Sequence, residues 1–247
     1  VGNDTINGGE GNDVLKLEAD GIWGKDFYAA NVSSFALLST VSIEGKNKFQ
    51  DVLDGGKNDD NEADTILLTD KDDVFSLDDA FSGFHQSLSL EKDFFSKDNK
   101  ARIDAIEKIN GGAGDDVIDL TSPTFTLSEN ILIEGGTGND VIWASKGKDT
   151  LKGDQGNDIL FGGAGDDILT GGSGADTFEF FNQSGNDIIK DYNKADGDKL
   201  AFYIQSGDKQ SVSFSGETIT WGSIQIQLEG LTISSTNDFL VEYNTVA

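Results

Sequence analysis

A nine-residue repeat occupies the middle of the sequence. Residues 135–179 divide without a gap into five nonapeptides: GGTGNDVIW, ASKGKDTLK, GDQGNDILF, GGAGDDILT and GGSGADTFE. In each unit the fourth residue is glycine, the sixth is aspartate, and the eighth is large and apolar. A flexible linker rich in glycine and aspartate would not keep an apolar residue at every eighth position. The repeat therefore indicates a regularly coiled, folded structure.

Each recurring position of the repeat has a physical role. Glycine permits the positive φ at which a loop reverses sharply. The last three residues form a minimal strand whose central apolar side chain points inward. Aspartate supplies hard oxygen ligands, of which Ca²⁺ takes about six to eight. Two nonapeptides make one coil, so loops 18 residues apart stack on one side, and each ion is expected between stacked loops, sharing carboxylates from two of them.

Charge supports a bound cation. The chain has 45 acidic and 18 basic residues, a net charge of -27, which excludes nucleic acid and anionic membrane surfaces as partners. Cysteine is absent, so neither disulfides nor thiolate metal sites hold the fold. No apolar run approaches the roughly 18 residues of a membrane span. We expect divalent metal to stabilise the fold instead.

The aspartates of the repeats are the candidate metal ligands. Further copies stand apart at 8–16 (GGEGNDVLK) and 111–119 (GGAGDDVID), with a partial copy, VGNDTIN, at the start. The spacing places Asp140, Asp158 and Asp176 along one edge and Asp149 and Asp167 along the opposite edge. We predict these calcium ligands: Asp4, Asp13, Asp60, Asp116, Asp140, Asp149, Asp158, Asp167, Asp176 and Asp187.

One unit departs from the pattern. Ala144 and Ser145 replace its paired glycines, and Lys146 and Lys148 lie nearby. Calcium affinity at that edge is therefore in question.

This nonapeptide resembles the calcium-binding repeat of RTX (repeats-in-toxin) proteins, over 135–179 and at the outlying copies. The resemblance implies a secreted or bacterial cell-surface protein that binds several Ca²⁺ ions. The expected fold is all-β: a calcium-stabilised parallel β-roll with an embedded, mainly-β ligand-binding elaboration and an antiparallel C-terminal cap. Folding is expected to follow export, because extracellular calcium modules bind at about 10⁻⁴–10⁻³ M.

Composition divides the chain into three parts. Residues 1–134 contain degenerate repeats, with the elaboration embedded at about 17–110; 135–190 is the regular roll; 191–247 is the cap and a type I secretion signal. Residues 183–202 are expected to form the last coil, and SVSFSGETITWGSIQIQLEG to form antiparallel strands. The tail, LTISSTNDFLVEYNTVA, resembles an uncleaved secretion signal or is one more strand.

Part of the first region has a second resemblance. DKDDVFSLDDAFSGFHQSLSL and IEKINGGAGDDVIDLTSP are similar to the peptide-binding domain of RTX adhesins, which function in cell adhesion and biofilm formation. This likeness covers about residues 15–145. It implies an adhesin module that binds the C-terminal end of a peptide on a host or neighbouring cell, with Ca²⁺ holding the carboxylate. A calcium-dependent lectin and a purely structural secretion module are the alternatives.

Ligand-binding candidates follow from that resemblance and from the aromatic residues of this segment. Aromatic side chains also build cores, and acidic clusters such as Asp70, Asp72 and Asp73 also form solvated surfaces. The candidates are Trp23, Tyr28, Asp72, Asp73, Phe81, Phe84 and His85.

Catalysis has no support in the sequence. HExxH is absent, and the single histidine cannot supply a His-based zinc site. No GxSxG motif occurs. Carboxylates are too numerous for any pair to indicate a glycosidase. We therefore predict a binding protein and not an enzyme.

The outer surfaces of the roll are expected to differ. Positions seven and nine point outward, which places Val141, Trp143, Ile159 and Phe161 on one sheet. The other sheet carries Thr150, Lys152, Ile168 and Thr170. An apolar strip on one side only should be covered, either by the C-terminal strands or by the elaboration.

Overall fold

The computed structural model describes residues 5–8, 13–16, 22–23, 43–44, 52–54, 63–77, 103–121, 127–182, 184–205, 212–239 and 241–246. Within these ranges every regular element is a strand, which confirms the all-β expectation. The N-terminal strands are β1 (Thr5–Asn7), β2 (Val14–Lys16), β3 (Ile22–Trp23), β4 (Ile43–Glu44), β5 (Val52–Asp54), β6 (Thr65–Leu67), β7 (Val74–Ser76), β8 (Ile103–Asp104), β9 (Lys108–Ala113), β10 (Val117–Asp119) and β11 (Leu132–Thr137). The C-terminal strands are β12 (Val141–Trp143), β13 (Thr150–Gln155), β14 (Ile159–Phe161), β15 (Ile168–Ser173), β16 (Thr177–Phe181), β17 (Asp187–Ile189), β18 (Lys199–Gln205), β19 (Val212–Ser215), β20 (Thr218–Trp221), β21 (Ile224–Leu228) and β22 (Val241–Val246).

Two large sheets form the roll. The seven-stranded sheet has the order β22-β18-β16-β14-β12-β10-β7, and the ten-stranded sheet the order β19-β20-β21-β17-β15-β13-β11-β9-β6-β2. Successive strands of 135–179 alternate between the sheets, and neighbours within each sheet are parallel, as between β12 and β14 or β13 and β15. Two smaller sheets, β1-β5-β8 and β3-β4, lie in the N-terminal region. The chain is thus a parallel β-roll of stacked coils.

The length of a coil varies along the roll. Equivalent residues of consecutive coils are 18 apart in the regular repeats, as between Asp140 and Asp158. The separation grows to 24 residues between Asp116 and Asp140, and to 43 between Asp73 and Asp116. It reaches 51 between Asp13 and Asp64. The first coils therefore carry long additional segments at one end of the roll.

Parallel pairing extends beyond the regular repeats in both directions. It runs through β6, β7, β9 and β10 on the N-terminal side and through β18 and β22 on the C-terminal side. Thr65–Leu67 forms β6, and Lys108-Ile109-Asn110 begins β9. The limits of the three predicted domains stay a prediction.

One apolar row from each sheet fills the space between the two. In β6, β7, β10, β12 and β14 the central residue points inward and is buried, because successive side chains of a strand face opposite sides. The rows are Ile66, Ile109, Ile133, Leu151, Leu169 and Ile189 from the ten-stranded sheet, and Phe75, Ile118, Ile142, Leu160, Phe178 and Leu200 from the seven-stranded sheet. Burying each such side chain contributes roughly 1.5–3 kcal/mol, so the row is the main apolar contribution to stability.

The outer faces of the sheets differ as the sequence predicts. On the seven-stranded sheet Trp143 is 2% and Phe161 9% exposed, so the apolar strip is covered. The equivalent residues of the ten-stranded sheet, Lys152 and Thr170, are half-buried. In the same sheet, β22 is the edge strand and is separated from β14 by β16 and β18. Which segment covers the strip stays a prediction.

The C-terminal region closes the ten-stranded sheet with a meander. Strands β19, β20 and β21 are antiparallel, which confirms the predicted cap, and β21 then pairs in parallel with β17. Trp221 of this cap is fully buried against Phe202, with ring centroids 4.8 Å apart. Part of the tail forms β22, parallel to β18.

Over the residues that the structure describes, no helix has the length and apolarity required to cross a membrane.

Candidate metal-binding edges of the roll

The turns between the sheets carry two rows of acidic residues. We call edge I the row in the turns that lead from the ten-stranded to the seven-stranded sheet, and edge II the row in the turns that lead back. Edge I comprises Asp73, Asp116, Asp140, Asp158, Asp176 and Asp198. Edge II comprises Asp13, Asp64, Glu107, Asp149, Asp167 and Asp187.

Each row is a ladder of hydrogen bonds between coils. The backbone N–H of Asp140 donates to Asp158 Oδ1 over 2.8 Å, and that of Asp158 donates to Asp176 Oδ1 over 2.9 Å. On edge II the N–H of Asp149 donates to Asp167 Oδ1 over 2.8 Å. The same step joins every pair of neighbours on edge I. One carboxylate oxygen of each aspartate is thus used to hold the preceding coil in register.

The second carboxylate oxygen is the chemically open one. In seven of these aspartates Oδ2 is buried and has no hydrogen-bond partner; they are Asp13, Asp64, Asp116, Asp140, Asp158, Asp167 and Asp176. A buried charged oxygen without a partner costs several kcal/mol unless a cation or proton compensates it. Rows of such oxygens fit a hard divalent cation, and Ca²⁺ is the one that takes many oxygen ligands in flexible loops.

At both ends of edge I, hydrogen-bond donors of the protein bind the second carboxylate oxygen of the aspartate. Asp73 Oδ2 accepts hydrogen bonds of 2.7 Å from the N–H and the hydroxyl of Thr69. Asp198 Oδ2 accepts a 2.7 Å bond from the N–H of Asn193. The four aspartates between these ends are the ones that keep an unpaired oxygen.

In four of the five regular units the first residue is a glycine that leaves room for the open oxygen. A Cβ built on Gly153 would lie 2.2 Å from Asp158 Oδ2, five residues further on, and one on Gly171 would lie 2.2 Å from Asp176 Oδ2. Such contacts are too short for any side chain. Glycine at position one is therefore required so that the aspartate can fold back into its own loop.

The fourth glycine brings backbone carbonyls together. Gly156 has φ of 137°, and a Cβ there would lie 1.6 Å from the carbonyl oxygen of Gly138 in the preceding coil. Glycine is thus needed both for its left-handed backbone and for the close stacking of loops. Backbone carbonyl oxygens of such loops are hard oxygen atoms of the kind that Ca²⁺ binds.

Burial raises the pKa of several aspartates in the two rows well above the ordinary value of 3.8. Loss of hydration raises the pKa of Asp116 to about 9 and of Asp158 and Asp167 to about 8. The pKa is raised to about 7 for Asp140 and Asp187 by the same cause. Neighbouring carboxylates add to the effect, since the charge of Asp176 raises the pKa of Asp158. Without a cation the ionised rows are therefore strained electrostatically.

In the described ranges no three acidic or histidine side chains converge on one point. Neighbouring carboxylates of a row belong to different coils, which are about 4.8 Å apart in a sheet. A cation in a row can thus take carboxylates from two loops, and backbone carbonyls must supply its other ligands.

Eight of the ten predicted metal ligands lie in these two rows. Asp140, Asp158 and Asp176 share edge I, whereas Asp149 and Asp167 share edge II, in the arrangement that the 18-residue spacing indicates. Asp4 and Asp60 lie outside the described residues. The role of the eight as calcium ligands stays a prediction.

Four members of the rows are absent from the predicted metal ligands: Asp64, Asp73, Glu107 and Asp198. Asp64 and Glu107 continue edge II, since the N–H of Asp64 donates to Glu107 Oε2 over 2.9 Å. Asp198 ends edge I, accepting from the N–H of Asp176 over 2.9 Å. The sequence signal was present in each case: an acidic residue stands two positions before an inward-facing apolar residue of a strand, as Asp198 does before Leu200.

The ligand-binding candidates are only partly described. Asp73 lies in edge I, and Asp72 Oδ1 accepts a 2.9 Å bond from the N–H of Asp115 in the next coil. Trp23 lies in β3, opposite Ile43 of β4. The remaining candidates, Tyr28, Phe81, Phe84 and His85, lie outside the described residues. Their role in ligand binding stays a prediction.

Comparison with known families agrees with the geometry of the edges. The family model of the RTX calcium-binding nonapeptide repeat (four copies) matches residues 1–20, 104–121, 132–160 and 144–178. The chain carries RTX calcium-binding repeats. These stretches contain Asp13, Asp116 and the whole regular part of both rows. RTX repeats are typical of secreted proteins.

Comparisons with complete proteins are less informative. No curated protein sequence matches the chain. Among solved structures, the chain is similar to the extracellular lipase LipA from Serratia marcescens, with 15% sequence identity and a TM-score of 0.27. The match covers 87% of this chain and 48% of the lipase chain, so the chain spans about half the length of that protein.

Proposed function

We propose that the chain is a calcium-dependent extracellular adhesin module, in which an RTX roll folds on binding calcium and supports a ligand-binding elaboration. The observation that carries the calcium part is the pair of buried acidic rows. Seven aspartates keep an unpaired, buried Oδ2, and in six of them this oxygen lies against a glycine five residues earlier in the loop. Such oxygens need a cation, so binding of the metal contributes directly to the free energy of folding.

Calcium then acts as the signal for folding outside the cell. The net charge of -27 opposes compaction, and the aspartates of each row repel one another across neighbouring coils. Calcium sites of this extracellular type bind at about 10⁻⁴–10⁻³ M, so they fill after export. The roll is expected to remain loose until then.

The ligand-binding part rests on the coils that depart from the 18-residue length. Consecutive levels at the N-terminal end are 51 and 43 residues apart, so two neighbouring coils carry long additional segments at the same end of the roll. A module that only assists folding has no need of such segments. The resemblance of 70–90 and 106–123 to adhesin peptide-binding domains supports this assignment.

The proposed ligand is the free C-terminal end of a peptide on a host or neighbouring cell surface. A chain of charge -27 attracts an anion only where local cations reverse the field. A bound Ca²⁺ with an open coordination position provides such a cation. The same open position could take two sugar hydroxyls, which makes a lectin the second candidate. The proposal includes no catalytic step.

A binding comparison separates these candidates. One peptide with a free C-terminus is compared with its C-terminal amide and with simple sugars, each with calcium and with chelator. Carboxylate capture predicts that the acid binds in calcium while the amide and the chelated samples do not. Equal binding of acid and amide would refute it, calcium-dependent binding of sugars alone would favour the lectin, and no binding at all would favour the structural role.

A further inference from the structure

One loop of edge II differs from the other repeat loops of residues 135–179, and we call each loop of an edge a level. The loop of residues 144–149 begins with Ala144, where the next loop on the same edge begins with Gly162. A Cβ built on Gly162 would lie 2.3 Å from Asp167 Oδ2. Ala144 is fully buried and has a Cβ at the equivalent position. Its methyl group thus occupies the space into which an aspartate of this repeat turns its second oxygen.

The carboxylate of this loop is accordingly satisfied by protein. Asp149 is absent from the set of aspartates with an unpaired buried oxygen. It accepts a 2.9 Å hydrogen bond from the N–H of Ile131 and a further backbone hydrogen bond from Ser145. At this level, backbone N–H groups bind the carboxylate, which therefore keeps no open oxygen for a cation.

The level before it has no carboxylate. Ile131 stands where an acidic residue stands in the other levels of edge II from Asp13 to Asp187. A cation between the loops of Ile131 and Asp149 would therefore have one carboxylate at most, and that one already accepts two backbone donors.

A lysine also lies at this level. Lys148 occupies position five, where the units before and after it on edge I have Asn139 and Asn157. Its ammonium group lies 3.0 Å from Asp166 Oδ2 in the next loop. An ammonium group beside the row opposes a second cation there, although solvent screens the effect because both side chains are largely exposed.

The neighbouring loops of edge I keep the open carboxylate oxygens that the loop of residues 144–149 lacks. Asp140 and Asp158 both keep an unpaired buried oxygen, and no lysine replaces their neighbours at position five. Asp154, at position two, has φ of 72° and adds a carboxylate beside the row. The two edges of one coil thus offer a cation opposite environments.

We infer that the loop of residues 144–149 is a level without calcium, which divides edge II into two separate groups of sites, whereas edge I holds an unbroken row. The inference rests on the proposed calcium function. It assigns Ala144 as the residue that excludes the ion, by filling the space of the open carboxylate oxygen, and Lys148 as an electrostatic support of that exclusion.

The test is a count of bound calcium. The double variant A144G/K148N turns ASKGKD into GSKGND and is expected to bind one ion more than the unsubstituted chain, between the loops of Asp149 and Asp167. The matched control A144S/K148N makes the same change of charge but keeps a Cβ, so its count should not change. The reverse variant, G162A, should lose one ion. Bound metal is measured by equilibrium dialysis at saturating calcium with elemental analysis.

Each outcome is decisive. Fluorescence of the buried tryptophans Trp143 and Trp221 verifies that every variant is folded before it is counted; if G162A does not fold, the two double variants carry the test. An unchanged count in A144G/K148N overturns the inference. An equal gain in A144S/K148N overturns the role of Ala144. An unsubstituted chain that binds no calcium overturns the calcium function itself, and this inference with it.

Discussion

The two large sheets of the roll share one inner core but have different outer faces. In the strands β10, β12 and β14 of the seven-stranded sheet all three residues are buried, whereas in β11, β13 and β15 of the ten-stranded sheet only the inward side chains of the first three residues are. A sheet buried on both faces reads as a continuous apolar run, and one that faces water alternates. The same nonapeptide thus produces two kinds of sheet through positions seven and nine alone.

A buried polar group shows how specific the covered face is. Glu179 is 2% exposed on the outer side of β16 and accepts hydrogen bonds from Trp143 Nε1 over 3.1 Å and from the Tyr203 hydroxyl over 2.7 Å. Phe181 stacks on Tyr203 with ring centroids 4.4 Å apart. A buried carboxylate that is satisfied in this way holds its aromatic partners in one arrangement. The outer face of the ten-stranded sheet, which we call the open face, carries ion pairs that water can reach.

Removal of calcium is expected to have the largest effect, because both sheets depend on the same two edges. In excess chelator the roll should lose its β-sheet circular dichroism and the burial of Trp143 and Trp221, and added calcium should restore both. Magnesium is the control, since its smaller octahedral shell fits carbonyl-rich loops poorly. A roll that stays fully folded in chelator would contradict the calcium function.

In the calcium-free chain, acidic pH should stabilise the folded roll by protonating the carboxylates of the two edges. The pKa values of Asp116, Asp158 and Asp140, about 9, 8 and 7, exceed the ordinary 3.8, so the folded state binds protons more tightly than the unfolded state. The stability from these groups is therefore greatest below about pH 4, declines above it, and is lost as the pH rises through about 7 to 9.

Circular dichroism in chelator at pH 5 and pH 8 measures this effect, with more sheet expected at pH 5. The variant D140N/D158N is the control, because its amides cannot ionise and its dependence on pH should be weaker. Calcium should show the opposite trend and bind more tightly at pH 8, since its ligands must be ionised. A calcium-free chain that is better folded at pH 8 would exclude this account.

A change on one outer face should affect one sheet only. Phe161 and Thr170 hold position nine in consecutive units, one on each sheet. Phe161→Ala removes a buried ring that contacts Phe181 at 5.0 Å, and should cost about 3–5 kcal/mol. Thr170→Ala should cost less than about 1 kcal/mol. Urea unfolding at saturating calcium measures both; equal costs would show that the two faces do not differ in packing.

Much of this comparison could be predicted from the sequence, because the period of nine is uninterrupted over 135–179. An unbroken period fixes which residues stack, so the edges of Asp140 and Asp149 and the apolar strip of Trp143 and Phe161 follow by counting. The antiparallel cap also followed from its alternating pattern.

Counting fails where the length of a coil changes. The steps of the rows are 22 residues from Asp176 to Asp198, 43 from Asp64 to Glu107 and 51 from Asp13 to Asp64. At these steps the register is set by strand pairing and by the hydrogen-bond ladder, which a single sequence does not display. The open carboxylate oxygen and the methyl group of Ala144 that replaces it are likewise visible only once the loops are folded.

The smallest expected effect concerns the open face of the ten-stranded sheet. Glu134 lies between two lysines, with Oε2 2.7 Å from Lys108 Nζ and Oε1 2.9 Å from Lys152 Nζ. Burial acts to raise the pKa of Glu134, but the hydrogen bonds and charges of the two lysines outweigh it and lower the pKa below its ordinary value. A lowered pKa stabilises the folded state above the unfolded pKa, and this contribution is lost as the pH falls through the folded value.

Glu134→Gln should therefore destabilise the calcium-loaded roll by about 0.2–1 kcal/mol near neutral pH, the range of a solvent-accessible ion pair. The loss should shrink in high salt, because salt screens exposed charges. The matched variant Glu179→Gln, on the covered face, should cost more and should not respond to salt, since Glu179 is buried and bound to Trp143 and Tyr203. Urea unfolding at low and high salt measures both variants, and an equal response to salt would show that the two outer faces do not differ in their access to water.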